Sequence, residues 1–292
     1  MGKWTLSVYY QLRYQEIAGI LESSLYLKEN VNHSKYMLSV SESLIRCCRL
    51  VWNKSLFLPP LLHRFWKLFL QLFSRFDRWL KDLVPDSSQK NLNTILEDKH
   101  TMFLLHDLLA LSNHLPELHE NILNDLHGCL DEKVREKFSC LLSECSPFKM
   151  LTSQATFFQS ILKNSIMEQC ERALNKTYTI TSLFRGQAQD MPSSQSYFAS
   201  DILKPLKEVV DASLLPQGIL LNLKTEVLEE ITEHYYAVIS EILCNVESTE
   251  KSLLALRKIR KINHKTGPTD EDRIKKQLCL DVTFHLQQVI FC

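Results

Sequence analysis

The sequence predicts an all-α protein of about ten helices, set in two consecutive bundles. Three observations carry this. Apolar residues recur at steps of three and four almost everywhere, and no segment sustains the period-two alternation of a strand. Glycine is scarce, six in 292 residues, about 2% against a usual ~7%, which leaves little material for hairpins, bulges or phosphate-cradling loops. Hydrophobic content is 45% and charged content 23%, so the chain is globular. Its length reaches the ~250–300 residues at which one core stops growing, which favours two units.

Taken in order, residues 5–28 form a helix with a stripe of Val8, Leu12, Ile17, Ile20 and Leu25, interrupted by Gly19. Residues 35–52 form a second, with Leu38, Leu44, Ile45 and Val51 inward. Pro59-Pro60 opens a third, since a first turn has no use for the missing N–H. That helix, 61–83, carries two stripes: Leu61, Phe65, Leu68, Leu72, Phe76, Trp79 and Leu83, and beside it Leu62, Trp66, Phe69, Phe73 and Leu80. Together they exceed the ordinary ~100° apolar face. Such a helix must touch two neighbours, in its own bundle or across to a partner. Core packing is the favoured reading; a partner-facing ridge at Trp66, Phe69, Phe73 and Leu80 is the functional one.

Residues 85–88 read as a loop. Helices follow at about 92–111, 116–126 and 131–143, and a long one at about 149–183. The Gly, Pro, Gln and Ser of 185–196 mark a linker. Further helices span about 197–212, 215–246 and 247–262, and Thr269 or Asp270 caps a last helix through about 290. The preferred domain boundary is Ser146-Pro147, giving 1–146 and 147–292; the 185–196 linker is the alternative. Short connections favour antiparallel neighbours.

Charge and motif searches narrow the function. Thirty-four basic and 34 acidic residues balance, whereas a nucleic-acid binder shows a basic excess. No apolar stretch free of charge is long enough to cross a bilayer, and the N-terminus has no signal-peptide core. Nine cysteines form no C-x-x-C pair and read as reduced thiols of a cytosolic protein. His100, His106, His114, His119 and His127 cluster in sequence, but no neighbouring pair has zinc-hydrolase spacing. Cys129, Cys140 and Cys145 are too far apart for a zinc knuckle. Glu226, Glu229, Glu230 and Glu233 share a helix face that a di-metal site would need to complete with E-x-x-H; Ile231 stands where the carboxylate belongs. These patterns predict no catalytic residue, metal or cofactor. Arg257, Lys258, Arg260, Lys261, His264 and Lys265 form a basic cluster. It complements a helix C-terminus, or it offers an electrostatic contact to anionic lipid or an acidic partner helix.

The run Leu58-Pro59-Pro60-Leu61-Leu62-His63-Arg64-Phe65-Trp66-Lys67-Leu68 resembles a stretch of the second-subunit family of the conserved oligomeric Golgi (COG) complex. So does Tyr9-Tyr10-Gln11-Leu12-Arg13-Tyr14-Gln15-Glu16-Ile17-Ala18-Gly19. Tyr197 with Leu203-Lys204-Pro205-Leu206 is similar to a later helix of that family, and residues 272–282 to its late helix. The resemblance runs from about residue 9 to 282. It implies bundles stacked into a helical rod, a C-terminal portion of a longer family chain, and no catalytic residues. It further implies a vesicle-tethering subunit acting in intra-Golgi retrograde transport and Golgi organisation, on the cytosolic face of the Golgi membrane. The implied partners are the other COG subunits, with SNAREs, Rab GTPases and golgins, and the implied membrane association is peripheral and indirect. A helical scaffold or adaptor subunit of a different trafficking complex is the alternative.

Overall fold

The computed structural model describes residues 5–26, 28–29, 35–84, 98–144, 146–185, 190–260 and 268–291. Among them the regular structure is helical: α1 (Leu6–Glu22), α2 (Ser39–Val51), α3 (Leu62–Asp82), α4 (Asp98–Asp125), α5 (Glu132–Glu144), α6 (Ser146–Leu174), α7 (Ile180–Phe184), α8 (Lys204–Ala212), α9 (Gln217–Arg260) and α10 (Asp270–Phe291). Short 3-10 turns precede α3, α7 and α8. The described residues form no strand; an isolated antiparallel bridge joins Glu29 to Leu38.

The chain divides into two compact units, Met1–Leu162 and Lys163–Cys292. The division falls within α6. Pro147 lies in the first turn of that helix, where proline is tolerated, directly after α5 ends at Glu144.

In the first unit, α1 and α3 run in the same direction. Tyr10 donates to the Arg64 carbonyl near their starts, and Arg75 grips Glu22 through two hydrogen bonds of 2.6 and 3.0 Å further along. The expected α1 stripe is corrected here: Ile17 and Leu21 are buried, but Val8 and Leu12 are exposed. The helix is turned toward its tyrosines. Tyr9 donates to the Leu56 carbonyl at 2.6 Å, and the Tyr10 ring meets Phe65 edge-on. A tyrosine can bury its ring and still satisfy its hydroxyl, and here two backbone carbonyls accept.

Both stripes of α3 turn inward. Phe65, Leu68, Phe69, Leu72, Phe73, Phe76, Trp79 and Leu80 are all buried, while Gln71, Ser74, Arg78 and Lys81 stay exposed. Trp52, at the end of α2, is the hub of the aromatic packing. Its ring lies 5.0 Å from Phe138 of α5, 5.8 Å from Phe57 and 6.0 Å from Phe69.

Two expected breaks are absent. Pro116 lies inside α4. It costs ~3 kcal/mol in a helix interior, yet its ring is on the solvent side and Leu111, Leu115, Leu118 and Ile122 keep one buried face through it. Likewise α9 runs unbroken for 44 residues, since residues 246–247 carry neither glycine nor proline.

In the second unit, α6 and α9 run in the same direction. Lys163 bridges Glu226 and Glu230 at 3.1 and 3.2 Å, and further along Glu171 meets His234 at 2.9 Å. α10 returns antiparallel to α9, with Tyr235 against His285 and Glu247 near Lys275. The cap of α10 is reciprocal: the Asp272 N–H donates to Thr269 Oγ1 at 3.1 Å, and Asp272 Oδ2 accepts from the Thr269 N–H at 3.0 Å. The Thr269 bonds, backbone first, lower the Asp272 pKa. Thr269→Ala is expected to cost about 1 kcal/mol, read as a shifted urea midpoint in far-UV circular dichroism.

Buried aspartate latches and the candidate functional site

The polar groups that the fold gathers hold irregular backbone in place. Asp107 of α4 is 1% exposed. Its Oδ1 accepts the Met37 N–H at 2.7 Å and its Oδ2 accepts the Leu38 N–H at 2.9 Å. These are N–H groups at the entry to α2, where no intrahelical acceptor exists. His106 Nδ1 lies 3.0 Å from Asp107 Oδ1. Beside this latch, Tyr36 Oη lies 2.6 Å from His114 Nδ1, and Arg49 Nη2 lies 3.3 Å from His114 Nε2. A guanidinium only donates, so Nε2 accepts and a neutral His114 carries its proton on Nδ1. Burial first, then Lys35, holds the His114 pKa below the ordinary imidazole range. Burial likewise raises the Tyr36 pKa.

The second unit repeats the device. Asp281 of α10 is fully buried. Its Oδ1 accepts the Ser196 N–H at 2.6 Å and Gln277 Nε2 at 3.0 Å; its Oδ2 accepts the Ser196 hydroxyl at 2.6 Å. Gln277 Nε2 also donates to the Ser194 carbonyl at 3.1 Å. One turn on, His285 is buried with its ring 4.8 Å from that of Tyr235. Neither His285 nitrogen finds a partner among the described residues, nor does the Tyr235 hydroxyl.

Burial lowers the His285 pKa. The unfolded histidine, at about 6.5, therefore binds its proton first. The folded state keeps its full stability above about pH 6.5 and loses it as pH falls through that value. His285→Phe keeps a ring against Tyr235 and removes the buried polar atoms. It is expected to raise stability by about 1 kcal/mol at neutral pH, and to flatten the dependence between pH 7 and 5, in urea melts followed by circular dichroism.

This geometry narrows the expected interface on α3 to Trp66. Phe69, Phe73 and Leu80 are core residues, covered by the first unit's own helices, and of the four only Trp66 keeps part of its surface. Phe138, reaching in from α5, packs on both Trp52 and Trp66. In the basic cluster, Arg257, Lys258 and Arg260 belong to α9 with side chains outside the described set, and Lys261, His264 and Lys265 lie outside the described residues.

The histidines between 100 and 127 do not converge: His106 sits by Asp107, His114 by Tyr36, and His119 is half-buried on the next turn. Among the described residues no group of three or more His, Cys, Asp or Glu is placed to hold a metal ion, and no helix is long and apolar enough to cross a membrane. Cys47 and Cys48 are buried. Cys47 Sγ lies 3.4 Å from the Ile17 carbonyl, and burial pushes its pKa up to about 11.

Sequence reasoning misses Asp107, Asp281, Tyr36, His114 and His285 as a group. Their sequence signal is a polar residue inside an apolar helical stripe: Asp107 between Leu104 and Leu111, and Asp281 and His285 after Ile274 and Leu278.

These features define a class, a helical protein whose buried polar side chains serve its own backbone and whose apolar helix faces are wide. The chain belongs to the family described as COG complex component, COG2, C-terminal, whose model matches residues 2–282. It is 29% identical over 315 residues to Conserved oligomeric Golgi complex subunit 2 of Drosophila melanogaster, covering 99% of this chain and 43% of that one. To the Homo sapiens protein of the same name it is 27% identical over 331 residues, covering 98% and 44%. To that of Arabidopsis thaliana it is 23% identical over 311 residues, covering 97% and 40%. The chain thus spans less than half the length of these curated relatives. No solved structure matches it.

Proposed function

We propose that this chain is a non-catalytic part of a multisubunit vesicle-tethering complex acting in intra-Golgi retrograde transport and Golgi organisation. The observation that carries the reading is the family match along residues 2–282. The relatives' shared name supports it. In this reading the chain works on the cytosolic face of the Golgi membrane as a peripheral component. It binds the other subunits of the complex, with SNAREs, Rab GTPases and golgins as further contacts. A partner surface in the first unit combines the exposed part of Trp66 with Val134 and Leu141, which are exposed one turn either side of Phe138. Large aromatic side chains flanked by aliphatic ones are frequent anchors of such surfaces.

The test is affinity purification of the tagged chain from cells, with mass spectrometry of what co-purifies. Stoichiometric recovery of the other complex subunits supports the proposal. Recovery of a different trafficking assembly by the folded chain overturns it. So does recovery of no subunit both by this chain and by a fusion that restores the remaining length of its relatives.

A further inference from the structure

The end of α9 has a character that the tether reading does not use. Val227, Ile231, Tyr235, Ile242 and Val246 are buried, and α10 covers the later part of this stripe. Because α10 begins only at Asp270, the stripe outruns its cover. Beyond Val246 no described residue of α9 is buried. Leu253, Leu256 and Ile259 are exposed by 40, 51 and 78%. At three-residue steps they line one side of the helix. Positions 251 and 258, both lysine, fall seven apart on the other side, and positions 257 and 260 are arginine. Residues 251–260 thus hold four basic residues and no acidic one, in a chain whose formal net charge is zero.

We propose that residues 251–260 of α9 are a docking strip for an anionic lipid bilayer surface. The apolar side would sink into the boundary between headgroups and acyl chains, and the cations would meet lipid phosphates and carboxylates. At about 100° per residue, position 260 falls within that apolar side and position 257 at its border, while positions 251 and 258 face away from it. A bilayer surface supplies both parts together, acyl chains for Leu253, Leu256 and Ile259 and anionic headgroups for the cations beside them. The contact is direct, which goes beyond membrane association through partner subunits.

The test is co-sedimentation of the purified full chain with vesicles of phosphatidylcholine alone, or of phosphatidylcholine with phosphatidylserine. Sedimentation is expected with the phosphatidylserine vesicles only, and it falls as salt is raised. The pair Arg257→Glu and Arg260→Glu is expected to weaken vesicle affinity by at least about thirty-fold, the loss that two membrane-bound cations imply. Ile259→Asp is expected to weaken it on the apolar side. Unchanged circular dichroism verifies the fold of both variants. Equal behaviour on the two vesicle types, or variants that bind like the parent, overturns the proposal. So does a chain that light scattering shows to be dimeric and that Ile259→Asp makes monomeric, since the strip would then face a second copy. Vesicle binding and subunit recovery are separate readouts, so either reading can fail while the other stands.

Discussion

Asp107→Ala is expected to destabilise the first unit by about 3 kcal/mol. The substitution removes the acceptor of two backbone N–H groups and leaves both without a partner at the buried entry to α2. Each orphaned donor costs about 1–3 kcal/mol, and part is recovered where local rearrangement admits water. Asp107→Asn is expected to lose less, because its one carbonyl oxygen can still accept one of the two N–H groups. The measurement is urea denaturation followed by tryptophan fluorescence. All four tryptophans, Trp4, Trp52, Trp66 and Trp79, lie within the first unit. An Asp107→Ala midpoint equal to the parent's would show that the latch contributes nothing.

Asp281→Ala is expected to cost the second unit a similar amount, about 3 kcal/mol, because it strands the Ser196 N–H and hydroxyl and one amide hydrogen of Gln277. Here the comparison with Asp281→Asn is more diagnostic. The asparagine amide can accept from the Ser196 N–H with its oxygen and donate to the Ser196 hydroxyl with its NH2 group. A loss well below that of alanine is therefore expected. Equal losses would show that the negative charge, rather than hydrogen-bond geometry, holds the 194–196 segment. Far-UV circular dichroism reads this unit, whereas tryptophan fluorescence reports whether the effect reaches the first.

The helical class is plain in the residue spacing because packing rewards the same period that the backbone imposes. The boundaries are less so. Pro116 reads as a break in the sequence, but a proline on the solvent side of a helix with a continuous core face bends it without ending it. The outward turn of Val8 and Leu12 is hidden because hydrophobicity alone ranks them above tyrosine. The ranking omits the two carbonyls, at Leu56 and Arg64, that reward a tyrosine for facing inward. The double stripe of α3 is legible as a helix with two neighbours. Which neighbours cannot be read, since the ring that covers Trp52 and Trp66 comes from Phe138, far along the chain. The aspartate latches are the least visible part. A lone aspartate in an apolar stripe declares that something must bind it, but the partners at Met37, Leu38 and Ser196 are backbone groups, which carry no sequence signature.

The buried thiol of Cys47 gives the first unit a built-in clock. With a pKa near 11, about one molecule in ten thousand holds it as thiolate at neutral pH, and in the closed fold no reagent reaches it. Alkylation therefore waits for α1 to part from α2. When the seam recloses faster than the reagent acts, the labelling rate, compared with that of the exposed Cys140 in the same unit, gives the free energy of that local opening. When reagent is in excess, the rate levels off at the opening rate itself. A single native cysteine thus separates how often the α1–α2 seam opens from how long it stays open.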